Sequence, residues 1–207
     1  MDVSKFRCDN CDEPAVLSKT GRPRRFCSNK CRQASYRRRR ELEALERFTV
    51  PAGLRDRNRW VLHRDKRPVA VGGWWTSVND ETTFMQYGEA CAALNRDGVD
   101  ANGLGFVLNG DGLVCVDLDD CVQGGEPTAV AREFLDAIGN TYVEYSPSGR
   151  GLHVWGYAIM DKGRVFKGKS LKVEVYPSKR FITVTGRPYR DGELGRLDLD
   201  AALPLVA

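Results

Sequence analysis

The spacing of the cysteines constrains this chain more than any other feature of the sequence. Four of its seven cysteines lie in the first 31 residues as two close pairs, Cys8-x2-Cys11 and Cys27-x3-Cys31. Two such pairs supply the four thiolates of a tetrahedral Zn²⁺ site. A unit this short draws most of its folding free energy from the metal, on the order of 10 kcal/mol. Ser28 is a suitable N-cap, so Cys31 is predicted to lie in the first turn of a helix.

A basic segment follows the second cysteine pair. The cysteine unit resembles zinc-knuckle and treble-clef fingers, and the helix predicted over residues 35–48 begins with four arginines, Arg37, Arg38, Arg39 and Arg40. Residues 1–48 carry 13 Lys/Arg against 7 Asp/Glu, whereas residues 49–207 carry 19 against 21. A charge run alone is often only a solvated surface. Beside a zinc unit that also holds Arg24 and Arg25, the pattern favours sequence-independent contact with a phosphate backbone.

The basic helix is expected to end before Pro51 and Gly53, because these two residues interrupt helices. This predicts two domains, a zinc module with a basic helix over residues 1–48 and a larger domain over 49–207. No apolar run approaches the ~20 residues that span a bilayer, so no membrane role is expected. The first residues lack a secretory signal, and we expect a cytoplasmic protein. The other cysteines, Cys91, Cys115 and Cys121, are predicted to be small buried residues.

Strand and helix patterns alternate along the larger domain and predict an α+β fold. Helices are predicted at Glu81–Leu94 and Thr128–Ile138, and His63 is interpreted as a surface residue. The predicted strands are Trp60–His63, Leu104–Leu108, Leu113–Leu118, Tyr142–Tyr145, Leu152–Tyr157, Leu171–Tyr176 and Phe181–Thr185.

Alternating acids end one apolar strand, at Asp117 and Asp119. Residues i and i+2 of a strand share a face, so the two carboxylates are predicted to project together while Val116 and Leu118 point into the core. Two neighbouring carboxylates repel each other unless a cation lies between them, and oxygen ligands suit Mg²⁺ or Mn²⁺. A capping or turn role is an equally common use of Asp-x-Asp.

Two further segments carry groups suited to phosphate. Ser148, Gly149 and Arg150 form a small-residue turn that leads into a strand carrying His153, where a phosphate contact is at least as expected as a structural histidine. On the next strand, Lys172 and Glu174 share a face, and Arg180 begins the strand after it. Glu174 either completes a three-carboxylate metal site or forms a salt bridge with Lys172 or Arg180.

The order of these motifs resembles the archaeo-eukaryotic primase superfamily, and most of all the primase-polymerases of phages and plasmids. The resemblance covers roughly residues 58–190 and includes the strand that begins Arg59-Trp60-Val61-Leu62. It implies an RRM-like sheet with helices packed against it. It assigns metal binding and catalysis to Asp117, Asp119 and Glu174, and nucleotide binding to Ser148, Gly149, Arg150, His153, Lys172 and Arg180.

The activity implied by this resemblance is template-dependent nucleotidyl transfer with two metal ions, Mg²⁺ or Mn²⁺. The substrates would be nucleoside triphosphates and a single-stranded DNA template, held in part by the zinc module. Many relatives continue into a helicase domain, so we expect a separate replicative helicase as partner, unless the sequence is a fragment. If the chain is phage-encoded, it is expected in the cytoplasm of a bacterial host.

Two other functions remain open from the sequence. A gap-filling or damage-tolerant polymerase would use the same site without starting chains. A non-catalytic, zinc-dependent DNA-binding protein of replication would use the three acids as structural groups. A nicking initiator is disfavoured because the chain has only two histidines, and they are far apart in the sequence.

Overall fold

The computed structural model of the chain describes residues 7–14, 24–36 and 49–206. The chain divides into two compact units, Met1–Glu46 and Arg47–Ala207. Within the described ranges, no helix is both long enough and apolar enough to pass through a membrane. Most of the helix predicted over residues 35–48, including Arg37, Arg38, Arg39 and Arg40, lies outside the described residues.

The smaller unit is organised around its cysteines. A tight turn follows Cys8, whose carbonyl accepts a hydrogen bond from the backbone N–H of Asp12 at 3.0 Å. Helix α1 (residues 29–36) begins directly after Ser28. The Ser28 hydroxyl accepts the backbone N–H of Cys31 at 3.2 Å, which confirms the predicted N-cap and places Cys31 in the first turn.

The larger unit contains short helices and many strands. Its α-helices are α2 (Ala52–Arg55), α3 (Tyr87–Leu94), α4 (Ala129–Ala137) and α5 (Leu199–Ala202), and 3-10 turns lie at Glu81–Thr83 and Leu203–Val206. Its strands are β1 (Trp60–Arg64), β2 (Arg67–Val69), β3 (Gly103–Asn109), β4 (Leu113–Asp119), β5 (Val122–Gln123), β6 (Glu126–Pro127), β7 (Val143–Tyr145), β8 (Leu152–Tyr157), β9 (Arg164–Lys167), β10 (Lys172–Tyr176), β11 (Ser178–Val184), β12 (Pro188–Arg190) and β13 (Gly195–Arg196).

Within residues 49–206 these strands form two main sheets, so the predicted α+β class is confirmed. The larger sheet has the order β12-β7-β8-β4-β10-β9, with β13 alongside β8, and the smaller sheet has the order β11-β3-β1-β2. Neighbouring strands are antiparallel, except for the parallel pair β13 and β8. The second sheet was not predicted, because alternation within a strand does not say which strand becomes its neighbour.

One face of the larger sheet packs against α4 and α5. Val116 and Leu118 of β4 lie in this core, as predicted, together with Phe134 and Leu135 of α4. Thr128 caps α4 by accepting the backbone N–H of Ala131 at 3.4 Å, so the predicted helix is confirmed. This face therefore fixes β4 and its neighbours as a rigid support.

The opposite face of the larger sheet meets the smaller sheet. Trp155 of β8 contacts Phe106 of β3 edge to face, with ring centroids 6.0 Å apart. Both rings are fully buried. Beyond this contact the two sheets leave a cleft, and the candidate residues lie there.

Two predictions in this unit are wrong. The helix expected from Glu81 starts only at Tyr87, because Met85 forms an isolated β-bridge with Trp60 and interrupts the helical pattern. His63 is buried, with its ring against Gly103 and beside Phe181. Burial lowers the pKa of His63 to about 4.

Candidate functional site

The four cysteines of the smaller unit lie close enough together to share one metal ion. All four sulfur atoms are within 4.8 Å of one another, and three of the separations are 3.4–3.6 Å. Sulfur atoms around a tetrahedral Zn²⁺, at a Zn–S distance of ~2.3 Å, would lie about 3.8 Å apart. None of these cysteines is in a disulfide. A backbone hydrogen bond from Cys27 lowers the pKa of the Cys8 thiol to about 6, whereas thiol–thiol contacts raise the pKa of Cys27, so it is the geometry that indicates a metal site. The predicted four-cysteine cluster is therefore confirmed as a candidate zinc site.

In the larger unit, strand register aligns the candidate acids. Asp117 of β4 lies opposite Glu174 of β10 on one side and opposite His153 of β8 on the other. Asp119 lies two residues further along β4, on the same face as Asp117 and opposite Lys172. The sheet pairing thus brings the predicted acids and two predicted nucleotide-binding residues onto three adjacent strands.

The three acids and His153 line a cleft of about 640 Å³ between the two sheets. The larger sheet contributes the acids, His153 and Tyr176, and the smaller sheet contributes Lys179, Arg180 and Phe181 of β11. Lys66 and Pro68, from the hairpin of β1 and β2, complete one wall. Another cleft, of about 500 Å³ between Arg55 and Gly88, contains none of the candidate residues.

Lys172 lies between two of the acids. Its ammonium nitrogen is 2.5 Å from Oδ2 of Asp119 and 2.7 Å from Oε1 of Glu174. These contacts raise the pKa of Lys172. Among the described residues, the four cysteines lie close enough together to share a metal ion, and the three acids do not form such a group. The salt bridge considered for Glu174 from sequence is therefore present, and a lysine ammonium already occupies part of this acidic site.

Asp117 is the most buried of the three aspartates at the end of β4, with a quarter of its side chain exposed. Burial raises its pKa, and the charges of Asp119 and Glu174 add to the rise. Burial also acts against ionisation of Glu174, but hydrogen bonds from Lys172 and Tyr176 outweigh it and lower the Glu174 pKa. The charge of His153 partly offsets this rise in the pKa of Asp117, and an added cation would further favour the ionised form.

His153 is held from behind by an acid that the sequence analysis missed. Nδ1 of His153 lies 3.2 Å from Oε1 of Glu144, while Nε2 points toward Asp117, 3.9 Å from its Oδ1. Burial acts to lower the pKa of His153, but Glu144 and then Asp117 outweigh it, and the pKa is raised. The ring therefore has a fixed orientation, with Nε2 directed at the cleft.

Glu144 is completely buried and accepts hydrogen bonds from several elements. Its Oε2 accepts the backbone N–H groups of Thr185 at 3.1 Å and Gly186 at 2.8 Å, and Oε1 lies 3.4 Å from the indole nitrogen of Trp155. The sequence carried a signal for this residue, because Glu144 is an isolated acid between Val143 and Tyr145 in a short apolar strand. The same reasoning identified Glu174.

The turn between β7 and β8 is closed by its own hydrogen bonds. The backbone N–H of Gly149 donates to the Ser146 carbonyl at 2.9 Å, and that of Arg150 donates to the Ser148 hydroxyl at 3.2 Å. Gly149 has a φ of +71°, which glycine adopts without strain. The N–H groups of Gly149 and Arg150 are thus engaged within the turn.

Basic side chains border the acids. Arg180 stacks over the ring of Tyr176 at 4.7 Å and donates to its hydroxyl at 3.3 Å, and Tyr176 in turn donates to Glu174. Arg150 is largely exposed and pairs with Asp120 at 3.0 Å. Lys179 lines the cleft beside Arg180, and the sequence had already indicated these two cations at the start of one strand as suited to a triphosphate. Lys66 also lines the cleft, from a turn where its positive φ is not revealed by sequence periodicity.

The candidate DNA-binding arginines are only partly described. Arg24 and Arg25 are exposed, and Arg25 forms an ion pair with Asp9 at 2.8 Å. Arg25 therefore also stabilises the smaller unit. The run from Arg37 to Arg40 is outside the described residues, and its role stays a prediction.

Comparison with known proteins gives this geometry a context. No family model matches the chain. Over 157 residues it is 35% identical to the DNA primase-polymerase of Nitratiruptor phage NrS-1. The similar region is 70% of this chain but 21% of the phage protein. The chain thus spans about one fifth of that primase-polymerase, and the resemblance to this kind of phage enzyme that the motif order indicated is supported.

Proposed function

We propose that this chain is a DNA-dependent nucleotidyltransferase that synthesises primers or extends DNA on a single-stranded template. The observation that carries the proposal is the row of facing positions across β8, β4 and β10. It aligns His153, Asp117 and Glu174 along one cleft wall. The similarity to the phage primase-polymerase supports the same activity.

The fold supports the proposal as well. In an RRM-like β-α-β-β-α-β arrangement, the strands lie in the order 4-1-3-2. Strands β10, β4, β8 and β7 have this order, with α4 following the first strand of the set. The second helix of such a fold is replaced here by the hairpin strand β9. We therefore assign the larger unit to an RRM-like catalytic core.

The acids fit divalent metal ions of the Mg²⁺ or Mn²⁺ kind. All the donors are carboxylate oxygens, burial and the neighbouring acids oppose ionisation of Asp117, and a cation already lies between Asp119 and Glu174 in the form of Lys172. We assign Asp117, Asp119 and Glu174 as the ligands. When bound, the metal ions would activate the attacking 3′-hydroxyl and stabilise the pyrophosphate that leaves.

The remaining side chains would bind and orient the triphosphate. Glu144 fixes the ring of His153, so that Nε2 meets a phosphate oxygen without an entropic cost of ordering. Arg180, held against Tyr176, and the exposed Arg150 supply guanidinium groups for the same purpose. Lys172 is 41% exposed and can turn from the acids toward a phosphate when a metal ion replaces its charge.

The smaller unit would bind the template strand. A zinc-stabilised turn and the basic residues from Arg24 to Arg40 supply positive charge that contacts the phosphate backbone without reading sequence. A separate replicative helicase would expose this strand. These roles follow from the proposed activity.

A primer-synthesis assay tests the proposal. Circular single-stranded DNA without a primer, incubated with Mg²⁺ or Mn²⁺ and either ribo- or deoxyribonucleotides, should give labelled products that depend on the template. Asp117→Ala should give none. Extension of an annealed primer without any product from the unprimed circle would favour a gap-filling polymerase with the same site.

A non-catalytic DNA-binding role is the second candidate, and a specific observation favours it. Lys172 neutralises Asp119 and Glu174, which is the contact that a structural role for these acids requires. In that case neither circular nor primed templates would give products. Substitution of Lys172 by Met would then destabilise the larger unit and leave DNA binding by the smaller unit unchanged.

A further inference from the structure

Two adjacent tryptophans are exposed beside the cleft. Trp74 is 63% and Trp75 is 45% exposed, whereas Trp60 and Trp155 are completely buried. A large aromatic side chain gains free energy from burial, so two neighbouring exposed indoles are costly unless they contact another molecule.

Backbone contacts close the turn that carries these tryptophans. Val69 and Trp75 form a β-bridge across it, and the backbone N–H of Ala70 donates to the Trp74 carbonyl at 2.9 Å. The Trp74 ring rests against Gly72, where a Cβ atom would lie only 1.7 Å from the ring carbon Cζ3. Glycine at position 72 is thus required by the position of the indole. Because the ring is already placed, little entropy is lost when a ligand stacks on it.

Two arginines lie over the neighbouring indole. The guanidinium carbons of Arg64 and Arg67 are 4.4 and 4.2 Å from the ring centroid of Trp75. Arg64 is also fixed by an ion pair with Asp100. Trp75 therefore orders two cations at the surface, next to the exposed ring of Trp74.

The hairpin that carries these arginines also borders the cleft that contains Asp117, because Lys66 and Pro68 line it. Arg67 alternates with Pro68 along β2, so Arg64 and Arg67 lie on the other face of this hairpin. Proteins bind unpaired nucleic acid strands with two kinds of group, basic side chains that contact the phosphates and aromatic rings on which the bases stack.

We propose that Trp74, with Arg64 and Arg67 held over Trp75, forms a stacking site for single-stranded nucleic acid on the hairpin that borders the cleft. A base stacks on the indole of Trp74, and the two guanidinium groups contact the flanking phosphates. Identification of this strand as the template rests on the proposed function, but the stacking site itself does not. The site is sequence-tolerant, because every base offers a π-face.

The affinity of the full chain for a fluorescein-labelled oligothymidylate of twelve nucleotides, measured by anisotropy at several salt concentrations, tests this site. Trp74→Ala is expected to raise Kd about tenfold with little change in salt dependence. Arg67→Ala should flatten the slope of log K against log salt by about 0.7, the effect of one lost phosphate contact on a single strand. Ile159→Ala removes a fully exposed apolar side chain outside the cleft and should change neither quantity.

The outcomes separate this proposal from the proposed function. If Trp74→Ala binds the oligonucleotide as tightly as Ile159→Ala does, the stacking site is refuted, whether or not the wild type incorporates nucleotides. If the wild type incorporates no nucleotide but Trp74→Ala still weakens binding, the stacking site stands and the polymerase assignment fails. Self-association that Trp74→Ala abolishes, without any change in oligonucleotide affinity, would assign the surface to a protein partner and overturn the proposal.

Discussion

The two units of this chain are stabilised in different ways. Among the described residues of the smaller unit, Cys8 alone is buried, and four thiols within 4.8 Å of one another take the place of a core. In the larger unit, α4 and one sheet face enclose an apolar core, and the candidate acids lie on the opposite face. We therefore expect the smaller unit to depend on a metal for its fold and the larger unit to fold without one.

Zinc removal gives the largest expected difference between the units. A strong chelator should unfold the smaller unit, because the metal supplies on the order of 10 kcal/mol of its folding free energy. The larger unit should keep its cooperative thermal transition. Limited proteolysis and circular dichroism, with and without chelator, measure the two effects, and added Zn²⁺ should restore protection. A smaller unit that resists protease equally well without zinc would contradict the comparison.

The acids of the larger unit should show the reverse behaviour, with a large effect on activity and a small one on folding. Asp117→Ala should lower nucleotide incorporation about a thousandfold or more, since it removes a proposed metal ligand worth several kcal/mol. Melting without divalent metal should change little, because the substitution relieves repulsion among Asp117, Asp119 and Glu174. Asp161→Ala, an exposed acid outside the cleft, is the matched control. An active but clearly destabilised Asp117→Ala protein would mean that these acids are structural.

Glu144 should be the exception among the acids, because it is part of the scaffold. Glu144→Gln places an amide N–H₂ opposite hydrogen-bond donors in a fully buried position, and should lower the free energy of unfolding by about 3 kcal/mol. The variant should also lose activity because His153 is released. Urea unfolding and incorporation assays measure both, and unchanged stability would refute the scaffold role.

The effect of Glu144 should depend on pH. The folded-state pKa of His153 is raised above its ordinary value of 6.5, so this part of the stability is complete below pH 6.5 and is lost as the pH rises through the folded-state pKa. The difference in unfolding free energy between wild type and Glu144→Gln should therefore narrow above pH 6.5. If the difference in unfolding free energy stays constant across this pH range, protonation of His153 makes no contribution to stability.

The smallest effects concern two helix caps, one in each unit. Ser28→Ala and Thr128→Ala each remove a hydroxyl that accepts a backbone N–H, at a cost of about 1 kcal/mol. In the smaller unit this cost should appear as weaker zinc affinity, measured by chelator competition. In the larger unit it should appear as a lower melting temperature. A Ser28→Ala protein with normal zinc affinity would show that the helix cap does not contribute to zinc binding.

Much of the site could be predicted because the positions of its residues follow from local sequence patterns. Alternation placed Asp117 and Asp119 on the face opposite Val116 and Leu118, and the cysteine spacing gave the cluster. Lys66 could not be found this way, since it reaches the cleft from a turn at positive φ. The helix expected from Glu81 failed for a related reason, because a long-range bridge from Met85 to Trp60 outweighed the local periodicity.

The sequence by itself determined which side chains share a strand face, which cysteines pair as clamps and where α1 and α4 begin, because these depend on neighbours along the chain. Only the tertiary structure decided that Glu144 lies behind His153, that Lys172 joins Asp119 to Glu174, and that a second sheet closes the cleft. Those contacts depend on strand order and register. Register is set by how whole faces pack, which no single segment encodes.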